Sequence, residues 1–163
     1  MRVFTIIILI IIAIIFSTNI QYNTGQDAID YPIRAFYHAD LQHLLANGIS
    51  LYNLSFMEDV LGRTKFLSAI LFIWIVSSLL LYLFHTLIPS RKVYTIGFSG
   101  VIFGLIVVYF SLLGNKNIGL AGLIISILPQ IFVPGISFEG HLAGIISGII
   151  YITIFPLNKT LKI

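Results

Sequence analysis

Residues 97–100 read Gly-Phe-Ser-Gly, and residues 140–144 read Gly-His-Leu-Ala-Gly. Each stretch opens a long apolar segment, so one hydroxyl and one imidazole lie inside sequence as hydrophobic as a membrane span. Polar side chains are costly in such segments and usually have a function there. Ser99 and His141 therefore predict a chemical site inside a bundle of apolar helices.

Composition places the chain among integral membrane proteins. Of its 163 residues, 58% are hydrophobic and 9% are charged, whereas about 25% of the residues of a soluble domain are charged. The mean hydropathy is +1.04, and the length fits one domain, assigned to residues 1–163. The net charge of +3 comes from scattered basic residues, which argues against nucleic-acid binding. The absence of cysteine excludes disulfides, thiolate metal sites and cysteine nucleophiles.

Six apolar windows predict an all-α fold, a bundle of six transmembrane helices. A membrane-crossing helix needs about 20 mostly apolar residues, and the continuous runs lack the alternation of barrel strands. The longest predicted connection is the loop from Gln21 to His38. A cleaved signal peptide is the alternative for the first window, but no small-x-small cleavage site follows it, so we expect the helix to be retained. The windows are 3–20, 40–57, 66–88, 97–113, 117–134 and 140–157.

Basic residues predict the orientation of the bundle. If the N-terminus is cytoplasmic, six basic residues lie on the inner side and three on the outer side. Membrane proteins usually have this excess of Lys and Arg in their cytoplasmic loops. We therefore expect a multi-pass protein of the cell membrane with both termini in the cytoplasm. The second, fourth and sixth windows then begin at the outer face, at one depth. The inner set is Arg2, Arg63, Lys65, Lys116, Lys159 and Lys162, and the outer set is Arg34, Arg91 and Lys92.

Ser99 and His141 have the residue types of a nucleophile and its base. A serine hydroxyl needs a base within hydrogen-bond reach, and histidine is the usual one. No carboxylate lies in the middle of any window, which favours a Ser-His dyad whose imidazole is oriented by packing or by a ring such as Phe103. Glycines thin both helices and allow close approach, although ordinary small-residue packing also explains them. These glycines are Gly97, Gly100, Gly104, Gly140, Gly144 and Gly148.

His43 and Asn47 are four residues apart and therefore share a helical face. Acyl transfer develops charge on an oxyanion, and each pre-aimed donor in a dry site lowers its energy by about 3 to 4 kcal/mol. His43, Asn47 and the backbone N–H of Ser99 are the candidate donors, and a structural His-Asn pair is the alternative. A metal site that includes His38 is disfavoured because no third strong ligand has zinc-like spacing. We expect no metal and no organic cofactor.

The ordered set of these motifs resembles the rhomboid intramembrane serine proteases. The resemblance covers most of the chain, and its pieces occur in the family's order. Ile33-Arg34, Phe36-Tyr37-His38 and His43-Leu44-Leu45-Ala46-Asn47 resemble the approach to the second helix and that helix, and Glu58 with Leu61-Gly62 resembles its end. Residues 97–104 resemble the nucleophile helix of the family, and residues 140–144 resemble its base helix.

The resemblance implies a six-helix bundle with a serine endopeptidase site that opens to water at the outer face. Ser99 would be the nucleophile and His141 the general base, while His43, Asn47 and the Ser99 amide would stabilise the oxyanion. The first loop, with Arg34, would lie in the outer leaflet, and the fifth window with its following loop would gate entry. The substrates would be single-span membrane proteins, cut where small or helix-destabilising residues let the helix unwind.

Phe98 and one connection depart from the family pattern. A small residue is commoner before the serine, so Phe98 would narrow the site or reshape its loop, and the connection from Gly114 to Asn117 is minimal. The rival function is an inactive rhomboid-like protein that binds transmembrane helices as a chaperone or adaptor. A channel or transporter is a third possibility. The presence of Ser99, His141, His43 and Asn47 disfavours the inactive binding protein, which has no need of all four. The lack of an intramembrane carboxylate disfavours the channel or transporter.

Overall fold

Each of the six apolar windows contains an α-helix. The computed structural model describes residues 2–19, 23–114, 116–133 and 135–157, except the side chain of Lys116, and these ranges contain no β-strand. Continuous apolar sequence favours helices because every backbone polar group then bonds within its own segment. The helices are α1 (Val3–Thr18), α2 (Asp27–Arg34), α3 (Leu41–Leu54), α4 (Phe56–Leu61), α5 (Arg63–Leu87), α6 (Ser99–Leu112), α7 (Lys116–Ile127) and α8 (Phe138–Ile154), with 3₁₀ turns at Pro89–Arg91 and Leu128–Phe132.

Three predicted boundaries were wrong. The predicted first loop contains α2, whose eight residues include two aspartates in the first turn, where they favour a helix start. The second window is divided, because α3 ends at Leu54 and α4 follows Ser55. The fifth window changes to a 3₁₀ turn at Leu128, since Pro129 has no N–H to continue the α-helix. The predictions at Lys159, Lys162 and part of the connection from Gly114 to Asn117 lie outside the described residues.

Helix length alone does not establish six membrane spans. Within the described part of the chain, α5, with 25 residues and a mean hydropathy of 2.4, is the one helix long and apolar enough to cross a membrane. At 1.5 Å per residue, a 14-residue helix such as α6 is about 21 Å long, shorter than a hydrocarbon core of about 30 Å. The shorter apolar helices are Val3–Thr18, Ser99–Leu112, Asn117–Phe132 and Phe138–Ile154. The all-helical class is confirmed, and the six-span bundle stays a prediction.

The backbones of α6 and α8 meet at glycines. A Cβ atom added to Gly144 would overlap the carbonyl oxygen of Gly100, and one added to Gly148 would lie 2.6 Å from the carbonyl oxygen of Gly104. Any side chain there would force the two helices apart, so the predicted glycine strips do form the contact. Gly97 is the exception, because it precedes α6 at a φ of 107° and lies against α3 instead.

The main hydrophobic core lies around α5 and α6. Phe66 and Ile73 of α5 and Leu105 of α6 are completely buried in it. The hydroxyl of Tyr151, near the end of α8, donates to the backbone carbonyl of Lys65 at 3.2 Å. This contact holds the far end of α8 to the start of α5, so α8 is fixed on two sides.

Glu58 of α4 fixes the start of α1. Its buried carboxylate accepts hydrogen bonds from the backbone N–H groups of Phe4 and Thr5 at 3.0 and 3.2 Å, and from the Thr5 hydroxyl at 3.2 Å. The first N–H groups of a helix lack intrahelical acceptors and carry partial positive charge, so a carboxylate there is stabilising. An ion pair between Arg2 and Asp59 at 3.0 Å adds to this attachment. The first helix is therefore packed as part of the bundle.

We expect Gly144→Ala to lower the thermal unfolding midpoint of the protein in detergent. Overpacking a tight core costs about 1–3 kcal/mol, and the obstacle here is a backbone carbonyl that cannot rotate away. Gly122→Ala in α7 is the matched control, because its added Cβ would meet no atom within 4 Å. That variant should unfold at the parent midpoint or above it, since alanine favours helices. Equal unfolding midpoints for Gly144→Ala and Gly122→Ala would contradict the close backbone contact between Gly144 and Gly100.

Glu58→Ala should loosen the start of α1. Each buried group left without a partner costs about 1–3 kcal/mol. Glu58→Gln keeps one acceptor oxygen and should lose less stability than Glu58→Ala. Hydrogen exchange at the Phe4 and Thr5 amides measures the effect, with the fastest exchange expected in Glu58→Ala. Unchanged protection of both amides in that variant would show that Glu58 does not hold the helix.

Candidate active site

The helix contact at the glycines brings Ser99 and His141 together. Ser99 is the first residue of α6, and His141 lies in the first turn of α8. Ser99 Oγ lies 2.9 Å from His141 Nε2, a hydrogen-bond distance. A hydroxyl held there can give its proton to the imidazole as the oxygen attacks a carbonyl carbon. The structure thus brings together the two residues predicted as nucleophile and base.

Phe103 stacks on the imidazole of His141. The ring centroids are 4.3 Å apart and the ring planes differ by 23°. Phe103 lies one helical turn after Ser99, so a single face of α6 supplies both the hydroxyl and the stacking ring. The contact predicted from this spacing is present. It limits rotation of the imidazole and keeps Nε2 directed at the serine.

Gln130 is a site residue that the sequence reasoning missed. It lies in the 3₁₀ turn Leu128–Phe132, and its Oε1 atom is 2.6 Å from His141 Nδ1. The sequence predicts that packing or a stacked ring orients the imidazole, because no carboxylate lies in the middle of any window. The signal in the sequence was an amide inside the apolar window 117–134.

His43 and Asn47 project from α3 toward the loop that precedes Ser99. A Cβ atom added to Gly97 would lie 2.5 Å from His43 Nε2 and 3.4 Å from Asn47 Nδ2, so only glycine leaves room for both side chains. Asn47 is buried, and its Nδ2 has no hydrogen-bond partner among the described residues. A buried unpaired donor is costly. It is suited to an acceptor oxygen supplied by a bound ligand.

A neutral histidine and a capping aspartate lie next to His43. The buried ring of His38 packs edge-on against His43, with centroids 5.0 Å apart. Burial, with a smaller effect of His43, lowers the pKa of His38 to about 4, so His38 is neutral at pH 7. Asp40 accepts a hydrogen bond from the backbone N–H of His43 at 2.7 Å and caps α3. In the described ranges, no group of three or more His, Cys, Asp or Glu residues could hold a metal ion.

The loop before α6 is held from two sides. The Gly97 N–H donates to the backbone carbonyl of Arg34 at 3.1 Å, and the Arg34 guanidinium lies 4.6 Å from the centre of the Tyr94 ring. The hydroxyl of Thr95 lies 3.0 Å from that of Ser137, the residue that caps α8. The loop therefore connects α2 to the starts of both helices that carry the site.

Phe98 does not narrow the site, contrary to our expectation. Its side chain is 1% exposed and lies in the main core, where its ring packs against Phe36 with centroids 5.7 Å apart. A cavity of about 40 Å³ touches Ser99, and Phe98 is not among its lining residues. The large side chain of Phe98 therefore packs into the core and not into the cavity beside Ser99.

A larger cavity lies beside the Gln130 side of the site. It has a volume of about 310 Å³ and is lined in part by Gln130, Arg91 and Glu139. Arg91 donates to the buried carboxylate of Glu139 from two nitrogen atoms, at 2.6 and 2.9 Å. This ion pair engages Glu139, which lies two residues before His141 on α8, a spacing that does not place two side chains on one helical face.

The fold and the site define an all-helical protein with a serine and a histidine hydrogen-bonded at the packed ends of two helices. The family model described as Rhomboid domain matches residues 26–157. The chain belongs to the rhomboid family, whose members are embedded in membranes. The resemblance drawn from the sequence motifs is thereby confirmed.

Similar proteins occur in a virus, a plant and bacteria. "Putative rhomboid protein L523" of Acanthamoeba polyphaga mimivirus is 58% identical over 161 residues, which cover 98% of this chain and 94% of that protein. "Rhomboid-like protein 14, mitochondrial" of Arabidopsis thaliana is 34% identical over 74% of this chain and 41% of its own length. An uncharacterised Mycobacterium bovis protein is 32% identical over 75% of this chain and 58% of its own length. No solved structure matches the chain.

A fluorophosphonate probe should label Ser99, because a serine paired with an imidazole reacts with such electrophiles while ordinary serines do not. Ser99→Ala should abolish labelling. Ser17→Ala is the matched control, because Ser17 is exposed on α1 and bonds only to backbone carbonyls in the structure. Intact-mass and peptide analysis locates the adduct. Stoichiometric labelling at another residue would refute the assignment of Ser99.

Proposed function

We propose that the protein is an intramembrane serine endopeptidase that cuts single-span membrane proteins in or near their transmembrane helix. The observation that carries this proposal is the distance of 2.9 Å between Ser99 Oγ and His141 Nε2 in an apolar helical bundle. The chain belongs to a membrane-embedded family, which supports a site of cleavage within the membrane. Ser99 and His141 form the catalytic dyad, which needs no metal or organic cofactor.

The reaction proceeds by acyl transfer to Ser99. Ser99 Oγ attacks the carbonyl carbon of the scissile peptide bond while His141 Nε2 takes the hydroxyl proton. The tetrahedral intermediate collapses as the imidazolium gives this proton to the leaving amine, which breaks the C–N bond and leaves an ester on Ser99. Water, deprotonated by the same imidazole, then attacks the ester and releases the carboxyl product, and Ser99 regains its proton.

Three donors stabilise the oxyanion in this proposal. The Ser99 N–H lies at the start of α6, where helix N–H groups have no intrahelical acceptor. Asn47 supplies its unpaired buried Nδ2, and His43 supplies a ring N–H beside Gly97. Together the three groups can surround one oxygen atom without a charged residue, which suits a site buried in apolar surroundings.

The outer surface of the helices fits a lipid environment. α5 exposes one leucine or isoleucine per turn along one face, and α1 exposes several isoleucines. We propose that the six window helices span the bilayer, with both termini in the cytoplasm of a cell and the site near the outer face. In this arrangement α7 and the turn after it gate substrate entry. The exposed residues are Leu71, Ile75, Leu79 and Leu83 on α5 and Ile6, Ile7, Ile10, Ile11 and Ile14 on α1.

Cleavage of a model single-span protein in liposomes tests the proposal. The parent and Ser17→Ala should cut the substrate, whereas Ser99→Ala and His141→Ala should lose at least about 1,000-fold in rate, because removing either member of a dyad disables proton transfer and attack together. Equal cleavage by all four proteins would refute the dyad. If the parent cuts no substrate in a varied set but still binds the transmembrane helices of these substrates, the result would favour the chaperone or adaptor function.

Asn47→Ala should slow cleavage by about 100- to 1,000-fold, the effect of removing one oxyanion donor. The unfolding midpoint should stay near that of the parent, because Asn47 Nδ2 bonds to no described residue in the resting protein. Asn53→Ala is the matched control, since Asn53 lies on the same helix with an exposed side chain. Equal turnover in the two variants would remove Asn47 from the oxyanion site.

A further inference from the structure

We propose that Gln130 is a positioning residue that fixes the proton of the resting His141 imidazole on Nδ1 and so keeps Nε2 free to accept the proton of Ser99. This inference rests on the proposed endopeptidase function. It gives the turn after α7 a part in the chemistry that acts through the imidazole of His141.

The chemistry of the amide carries the inference. The carbonyl oxygen Oε1 of a glutamine can only accept hydrogen bonds, and it lies 2.6 Å from His141 Nδ1. A short contact of this kind requires a proton on Nδ1. The neutral imidazole then has its lone pair on Nε2, 2.9 Å from Ser99 Oγ. This is the tautomer that a base for Ser99 must have, and it is the one that the buried aspartate of a Ser-His-Asp triad maintains.

The other groups near the imidazole do not select a tautomer. Phe103 stacks on the ring face and offers no acceptor in the ring plane. Asp40 caps α3, and Glu139 is bound by Arg91. Within the described part of the chain, the partner of Nδ1 is therefore the amide of Gln130. Without it, the two neutral tautomers would compete, and the one with a proton on Nε2 cannot deprotonate Ser99.

A neutral amide suits this position better than an acid. Gln130 is half-buried and lines the larger cavity, and its amide carbonyl supplies an acceptor to Nδ1 without placing a charge beside the apolar helices. An amide also leaves the imidazolium less stabilised than a carboxylate would, so the base returns its proton readily to the leaving amine. Replacing Gln130 by glutamate therefore keeps the tautomer and changes the charge, which separates positioning from mere packing.

The experiment compares Gln130→Met and Gln130→Glu with the parent in the liposome assay. Gln130→Met keeps the volume and removes the acceptor, so kcat should fall about 10- to 100-fold while KM stays within about twofold. Gln130→Glu should retain kcat within about fivefold. The acid limb of its kcat/KM profile should move to higher pH, because the carboxylate stabilises the protonated imidazole. His43 and the Arg91–Glu139 pair are the same in all three proteins.

Gln26→Met is the matched control, because Gln26 precedes α2 with an exposed side chain, and this variant should keep the parent kinetics. An unchanged kcat in Gln130→Met would overturn the inference. If that variant unfolds, an acid limb of Gln130→Glu that coincides with the parent's would overturn it instead. With either result, the endopeptidase proposal still stands if the parent protein cleaves the substrate. A parent that neither cleaves nor is labelled at Ser99 would overturn both proposals.

Discussion

The backbones of α6 and α8 meet at Gly100 and Gly144, where only a hydrogen atom fits between them. In lipid the hydrophobic effect does not drive helices together, so close van der Waals contact between thin helices is a main source of association. Because Ser99 and His141 lie at the starts of these helices, the spacing of the helices sets the distance between the serine oxygen and the imidazole. A contact that stabilises the fold therefore also brings Ser99 and His141 together.

Some buried polar groups of the bundle are paired, whereas others have no hydrogen-bond partner among the described residues. The unpaired atoms belong to Asp30, Arg34, His38, Asn47 and His85. His141 bonds to Ser99 and Gln130, Glu58 bonds to the start of α1, and Glu139 bonds to Arg91. Among the unpaired groups, the Nδ2 of Asn47 is buried beside the loop that leads to Ser99. A buried unpaired donor has a stability cost, and under the proposed function an oxyanion would accept its hydrogen bond and offset that cost.

The sequence predicted the features that depend on local pattern. Apolar windows located the principal helices, and glycine spacing with one serine and one histidine predicted their contact. It did not predict Gln130 at the imidazole, the core-facing ring of Phe98 or the attachment of α1 by Glu58. Each of these depends on where a distant segment packs. α2 was missed because a short amphipathic helix in a loop resembles ordinary polar sequence, and helix length leaves the number of spans open.

The most direct measurement is an experimental structure of the protein after reaction with a phosphonate inhibitor. The account predicts a bond from Ser99 Oγ to phosphorus, with the phosphoryl oxygen about 2.7–3.1 Å from Asn47 Nδ2 and from the Ser99 backbone nitrogen. His141 should remain between the adduct and Gln130. An adduct whose oxygen points away from α3, or Ser99 and His141 side chains on separate lipid-facing surfaces, would contradict the account.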